Sequence, residues 1–198
     1  MAAWAPEIGQ NKITEMRKGL IWICFCSLLI SCGAPSGLES EFDCGSASSA
    51  GYEEETDLKK KFTVALPSHW KVNLYQSELQ SSIYAADTTL ALSKSTLIDF
   101  SYIEKEVVFD GQFKLQNEQI QLKNKLVKSK TKDFTEKGVE VHYTVYKGMK
   151  NNLAFTTLHT YLKKDARGFI HIKADVYGTE SINERLCEAI SLVNELKF

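Results

Sequence analysis

Residues 58–198 predict an α+β fold, an antiparallel β-sheet of about six strands covered by helices, on three observations. Three consecutive runs, Val139–Lys147, Asn152–Lys163 and Gly168–Tyr177, are rich in β-branched and aromatic residues. Short polar turns at Gly148-Met149-Lys150 and Asp165-Ala166-Arg167-Gly168 join them, the pattern of an antiparallel meander. Within these runs Val139, Val141, Tyr143 and Val145, and again Ile170, Ile172, Ala174 and Val176, occupy every second position, so one sheet face is apolar. The last segment changes period. Ile182, Leu186, Ala189, Ile190, Val193 and Leu196 recur at helical spacing behind Ser181-Ile182-Asn183-Glu184, which has the form of a capping box.

The preceding elements follow in order. Lys61–Leu66 alternates Phe62, Val64 and Leu66 against small or polar neighbours, and Pro67-Ser68-His69 turns the chain into Trp70–Leu74: strand, turn, strand. Leu79–Ala86 and Thr96–Ile103 are further strands, separated by Asp87–Ser95. Asp110 to about Ser129 is helical in composition, with Leu115, Leu122 and Leu126 in one row and Phe113, Ile120 and Val127 in another. The run Phe62-Thr63-Val64-Ala65-Leu66-Pro67-Ser68-His69-Trp70-Lys71 resembles the opening hairpin of PsbP-like domains, in Phe, Val, Pro, Trp and Lys at that spacing. The resemblance covers ten residues in motif and residues 58–198 in element order. It implies an α/β/α sandwich and a functionally mixed family of accessory, assembly and binding proteins, with no active site to carry over.

Ahead of the domain, Met16-Arg17-Lys18 gives a basic head and Gly19–Ile30 an apolar run of about a dozen residues, short of the roughly 20 that cross a bilayer. Leu29-Ile30-Ser31-Cys32 resembles the lipobox of bacterial lipoproteins. That resemblance implies diacylglyceryl transfer to the Cys32 sulfur, cleavage before Cys32, acylation of the new amine and a membrane anchor in the bacterial cell envelope. Gly33 is not the Asp that marks inner-membrane retention in lipoproteins of enteric-type bacteria, which implies the outer membrane where a cell has one. Residues 1–31 are then a signal peptide, with 1–15 an over-extended start before Met16. Residues 32–57 are Gly, Ser, Ala and acid, too poor in apolar residues to offset chain entropy, and predict a lipidated flexible tether.

Processing leaves 21 basic and 23 acidic residues, a balance without the basic excess of a nucleic-acid binder. Cys24 and Cys26 leave with the signal and Cys32 is alkylated, so Cys44 and Cys187 remain as a disulfide candidate in an oxidising envelope, against two free thiols. Trp70, Tyr75, Tyr84, Phe100 and Tyr102 are candidates to line a ligand pocket, with core packing the competing role of Trp70. His142, His159 and His171 fall on successive strands, where register could bring two within metal-ligand reach; three or four ligands are usual, so they are expected exposed, with no metal or other cofactor. Lys123, Lys125, Lys128, Lys130 and Lys132 scatter around a helix and predict a solvated face. Asp99, Glu104, Glu106 and Asp110 are expected to be solvated carboxylates at a strand end. No phosphate loop, dinucleotide fingerprint or zinc-protease helix occurs. The function expected is a non-enzymatic, lipid-anchored binding, scaffolding or assembly module with an envelope protein partner. The alternatives are a small-ligand or metal carrier and an envelope hydrolase.

Overall fold

A computed structural model describes residues 37–45, 50–163 and 166–198; the signal peptide over 1–31, the residues of the over-extended start and Cys32 lie outside them. The elements are α1 (Gly37–Glu41), β1 (Tyr52–Thr56), β2 (Thr63–Pro67), β3 (Lys71–Gln76), β4 (Gln80–Ala86), β5 (Thr96–Ile103), α2 (Gly111–Lys123), β6 (Leu126–Glu136), β7 (Val139–Lys150), β8 (Leu153–Lys163), β9 (Phe169–Tyr177) and α3 (Ile182–Asn194). Seven strands form one antiparallel sheet in the order β3-β4-β5-β9-β8-β7-β6, and β1 and β2 form a separate hairpin. Against the expectation, β2 lies outside this sheet, in the hairpin, and β6 joins it where a helix was expected.

Period-two alternation gives this sheet two chemically different faces. Ile83, Ile98, Phe100, Val141, Tyr143, Val145, Leu158, Ile170, Ile172, Ala174 and Val176 are buried on the first. Over them lie Leu186, Ala189, Ile190 and Leu192 of α3, together with Phe62, Val64 and Leu66 at β2. The hairpin is closed by Asp57, whose buried carboxylate accepts from the backbone N–H groups of Lys59 (2.9 Å), Lys61 (2.6 Å) and Phe62 (2.7 Å). The chain end straps it down, since Thr63 and Lys197 exchange backbone hydrogen bonds of 2.9 and 2.8 Å.

Several local expectations are corrected. The stretch expected as a flexible tether over 32–57 is not free throughout: α1 and β1 pack on the domain through Leu38, Phe42 and Tyr52, and the candidate pair Cys44 and Cys187 stands at disulfide distance, 2.02 Å between sulfurs. β2 and β3 do not pair with each other; β2 pairs with β1 and β3 with β4. The helix expected to Ser129 ends at Lys123, because Lys125 takes φ 61° and β6 begins at Leu126. The β7–β8 turn is Asn151-Asn152, both left-handed, and not Gly148-Met149-Lys150. Those three residues stay paired in β7, where Gly148 is required by β6, since a Cβ there would lie 2.6 Å from the Lys125 carbonyl. Ser181 enters α3 with φ 47° and its side chain caps nothing, so the capping box does not form.

The lysines of the basic run meet specific partners on the edge strand β6. Lys132 pairs with Glu41 of α1, Lys130 lies 4.5 Å from the Phe42 ring centroid, and Lys128 reaches Glu118 at 2.5 Å. Arg185 of α3 is buried and donates to the backbone carbonyls of Ser93 (3.0 Å), Tyr177 (2.7 Å) and Ser95, tying the β4–β5 loop to the end of β9. A lysine offers one ammonium in place of that fork. Arg185→Lys is therefore expected to lower unfolding stability by about 2 kcal/mol and Arg185→Ala by more, read by urea denaturation. Peptide mapping without reductant is expected to recover Cys44 and Cys187 on linked peptides. Replacing both by Ala should cost about 2–5 kcal/mol for a closed loop of 143 residues.

Candidate functional site

The second face of the sheet is where this chain departs from a simple two-layer core. Across it run Asn73 and Tyr75 of β3, Gln80, Ser82 and Tyr84 of β4, Asp99 and Ser101 of β5, and His171, Lys173 and Asp175 of β9, followed by Thr157, His159 and Tyr161 of β8 and His142, Thr144 and Tyr146 of β7. Each is the alternate neighbour of a core residue, so the pleat that builds the core also lines up this polar array.

The helix α2 crosses part of this face. Asp110 caps it, accepting from the Phe113 N–H at 2.9 Å. Phe113 then packs on Phe109, Tyr161 and Phe169 with ring centroids 5.0–6.4 Å apart. Otherwise α2 is turned outside in: Leu115, Ile120 and Leu122 are exposed, while Lys114, Asn117 and Gln121 are half-buried toward the sheet. An amphipathic helix would do the reverse; a polar sheet face under it accounts for the inversion.

Beneath α2 the three histidines are held on a plate of rings. Tyr161 stacks on His171 at 4.5 Å and on His142 at 5.7 Å, and His159 Nδ1 lies 3.0 Å from His171 Nε2. The expected exposure is overturned: His142 and His159 are only 3% and 5% exposed. Burial lowers the pKa of His159 to about 4, and burial together with the neighbouring His159 lowers that of His171 to about 3, so both are neutral at pH 7. Register does bring two histidines together, but Tyr161 separates His142 from them. No group of three or more His, Cys, Asp or Glu side chains able to hold a metal occurs among the described residues.

His142 sits in a different chain of contacts. Its Nδ1 is 2.8 Å from Asp133 and its Nε2 is 3.2 Å from the Thr144 hydroxyl, the hydroxyl–imidazole–carboxylate order of a hydrolase triad. Burial pulls its pKa down against the opposing pull of Asp133. The Thr144 oxygen is also 3.0 Å from that of Thr131, and Thr144 is 3% exposed. It lines neither of the two larger depressions on this face.

Among the depressions that open on this face of the described residues, two larger ones matter here, and a smaller one of about 170 Å³ beside Lys71, Asn73, Tyr84 and Leu97 adjoins the second. The first, of about 320 Å³, lies between the end of α2 and β8–β9 and is lined by Gln121, Asn124, Leu126, Lys150, Phe155, Thr157, His159, Lys173 and Asp175. Its floor is internally bonded, with Thr157 donating to Asp175 at 2.7 Å and Lys173 3.4 Å from the same carboxylate. The second, of about 540 Å³, lies at the free edge of the sheet beside Asn73, Tyr75, Gln76, Ser77, Gln80, Ser82 and Tyr84.

Of the five aromatic candidates, Tyr75 and Tyr84 alone come together there, edge to face at 5.2 Å. Trp70 and Phe100 are buried in the core on the other side of the sheet, and Tyr102 packs against that core beneath Lys61. The acidic candidates scatter. Asp99 is in the array, Asp110 caps α2 and Glu104 pairs with Lys59 and Lys61. Sequence reasoning missed Gln80, Ser82, Ser101, Thr157 and Asp175, which alternation on β4, β5, β8 and β9 places together once the apolar positions are assigned inward.

No family model and no curated protein matches the sequence. Solved structures do. A solution structure of cyanobacterial PsbP (CyanoP) from Synechocystis sp. PCC 6803 is similar at TM-score 0.52 and 10% identity, over 78% of this chain and 96% of that one. The fold is PsbP-like. A mutant of the protein Mog1 is similar at TM-score 0.50 and 10% identity, over 74% of this chain and 95% of that one. LpqN of Mycobacterium tuberculosis, a protein involved in cell envelope biogenesis, overlays at TM-score 0.44 and 14% identity over 69% of this chain and 82% of that one.

The neutral histidines set an acid limit. Unfolded, each titrates near pKa 6.5; folded, each binds its proton only near 4 or 3, so protonation favours the unfolded chain. Stability from this pair is complete above about pH 6.5 and falls as pH drops toward 4, on the order of 2 kcal/mol per histidine by pH 5. Urea midpoints measured from pH 7 to 5 should show that slope, and His159→Gln with His171→Gln should flatten it.

Proposed function

We propose that this chain is a lipid-anchored protein of the bacterial cell envelope whose PsbP-like domain is a non-enzymatic binding, scaffolding or assembly module. The observation that carries the binding role is the uneven covering of the second sheet face. Phe113 of α2 packs against residues of β8 and β9, while at β3 and β4 Tyr75 and Tyr84 are left 57% and 39% exposed beside an open depression. Exposed aromatic side chains backed by an ordered sheet are a common form of recognition surface. The non-enzymatic reading is supported by the burial of Thr144, which denies its histidine–carboxylate partners a reachable nucleophile.

The anchor is read from Leu29-Ile30-Ser31-Cys32. Among the described residues no helix is long and apolar enough to cross a membrane. With α1 beginning at Gly37, the chain from Cys32 to α1 can reach at most about 18 Å, so the domain would be held close to the lipid surface.

Phase partition in a clouding detergent tests the anchor directly. The wild-type chain expressed in a bacterial host is expected in the detergent phase with an N-terminal mass shifted by acyl groups on Cys32. Cys32→Ser should abolish the acyl mass shift and leave the leader uncleaved. An unacylated wild-type chain in the aqueous phase would remove the envelope assignment.

A further inference from the structure

We propose that the groove at the free edge of the sheet binds a neutral carbohydrate chain, seated on Tyr75 and Tyr84; this deepens the binding-module reading by naming its ligand class. The seven residues that line the groove are Asn73, Tyr75, Gln76, Ser77, Gln80, Ser82 and Tyr84. All are uncharged, in a chain of which 25% is Asp, Glu, Lys or Arg. They comprise three carboxamides, two aliphatic hydroxyls and two phenols; Ser82 and Gln80 Nε2 are engaged within the sheet, which leaves Asn73, Gln76, Ser77 and the Tyr75 phenol to donate and accept toward a ligand. An anion finds no cation among them. An alkyl chain would leave the carboxamides unpaired, which costs binding energy. A sugar ring matches both halves of the lining, its hydroxyls meeting the amides and its C–H face meeting an aromatic ring.

The groove is shaped for this before any ligand arrives. Tyr75 and Tyr84 meet at 86° with centroids 5.2 Å apart, so the two rings form a corner. The hydroxyl of Tyr84 is hydrogen-bonded to Asp99, whose carboxylate also accepts from Ser101 at 2.7 Å. Ser101 is 2.8 Å from Ser82, and Gln80 Nε2 donates to Ser82 at 2.9 Å and to Ser101 at 3.1 Å. This network spans β4 and β5 and holds Tyr84, Ser82 and Gln80 in place, which lowers the ordering cost of binding. Burial raises the pKa of Asp99, but Lys173 opposes that rise from β9. The volume of about 540 Å³ accommodates more than one sugar ring. Among the described residues no strand follows β3 in the sheet, so a linear chain could run past this side without meeting backbone.

Titration calorimetry on the full chain tests the assignment, in a polyoxyethylene detergent because sugar-headed detergents would compete. Chitotetraose, cellotetraose and maltotetraose are the probes. At least one is expected to saturate with Kd of about 1 mM or tighter and to bind more tightly than its monosaccharide. Tyr75→Ala and Tyr84→Ala should each weaken it at least tenfold, with Tyr84→Phe intermediate. Val127→Ser, exposed on β6, should leave it unchanged. Thermal melting of each variant separates lost binding from lost folding. The proposal is overturned if none of the three saturates by about 10 mM, or if a folded Tyr75→Ala protein binds as tightly as wild type. Either result leaves the Cys32 anchor standing, since phase partition reads that independently.

Discussion

The structure depends on the two-sided alternation of β9. Ile170, Ile172, Ala174 and Val176 point into the core from the middle strand of seven, and Phe169, His171, Lys173 and Asp175 therefore point out of it. A slip of one residue would exchange the two sets and bury Lys173 and Asp175 against α3. The same pairing commits β8 and β5 on either side, since Ile172 faces Thr160 and Phe100 while His171 faces Tyr161 and Ser101. Core and polar array are thus one solution to one register.

That register is held from the apolar side. Onto it close α3, the β1–β2 hairpin and, through Phe42 against Tyr143 and Glu41 accepting from the Tyr143 hydroxyl at 3.1 Å, the N-terminal helix α1. The polar side carries two smaller apolar clusters, one of Phe109, Tyr161 and Phe169 joined by Phe113 of α2, the other of Leu126, Tyr146, Phe155 and Tyr177. The hydrogen bonds among Gln80, Ser82, Ser101 and Asp99 then fix side chains on a backbone that is already rigid.

What was legible in the sequence were the segments where burial and period agree. β5 was expected and found at Thr96–Ile103, the start of β9 differs by one residue, and α3 begins at Ile182. What was hidden were segments stabilised by something other than an apolar stripe. β6 is an edge strand whose lysines serve to pair with Glu41 and Glu118, and a run of Lys, Leu and Ser has the composition of a helix. α1 and β1 are anchored by Leu38, Phe42 and Tyr52, too few residues to raise the apolar content of an acidic stretch. Of the five aromatic pocket candidates only Tyr75 and Tyr84 share the groove, for a related reason. Aromatic content does not say which side of a strand a ring takes, and odd-numbered Tyr75 meets even-numbered Tyr84 because register pairs Asn73 with Tyr84 and Tyr75 with Ser82.

The polar face is itself divided by how its groups are satisfied. Under and beside α2 the side chains complete one another: His159 with His171, Thr157 with Asp175, Asp133 with His142 and Lys114. A ligand entering there would have to break bonds it could not fully replace. At the β3–β4 edge the network is satisfied on its inner side by Ser101 and Asp99, but the outer surfaces of Tyr75, Asn73 and Gln76 face solvent. Binding there exchanges water for ligand without dismantling anything. Where a sheet carries polar residues across its whole width, the part most ready for recognition is the part whose internal bonding stops one layer short of the surface.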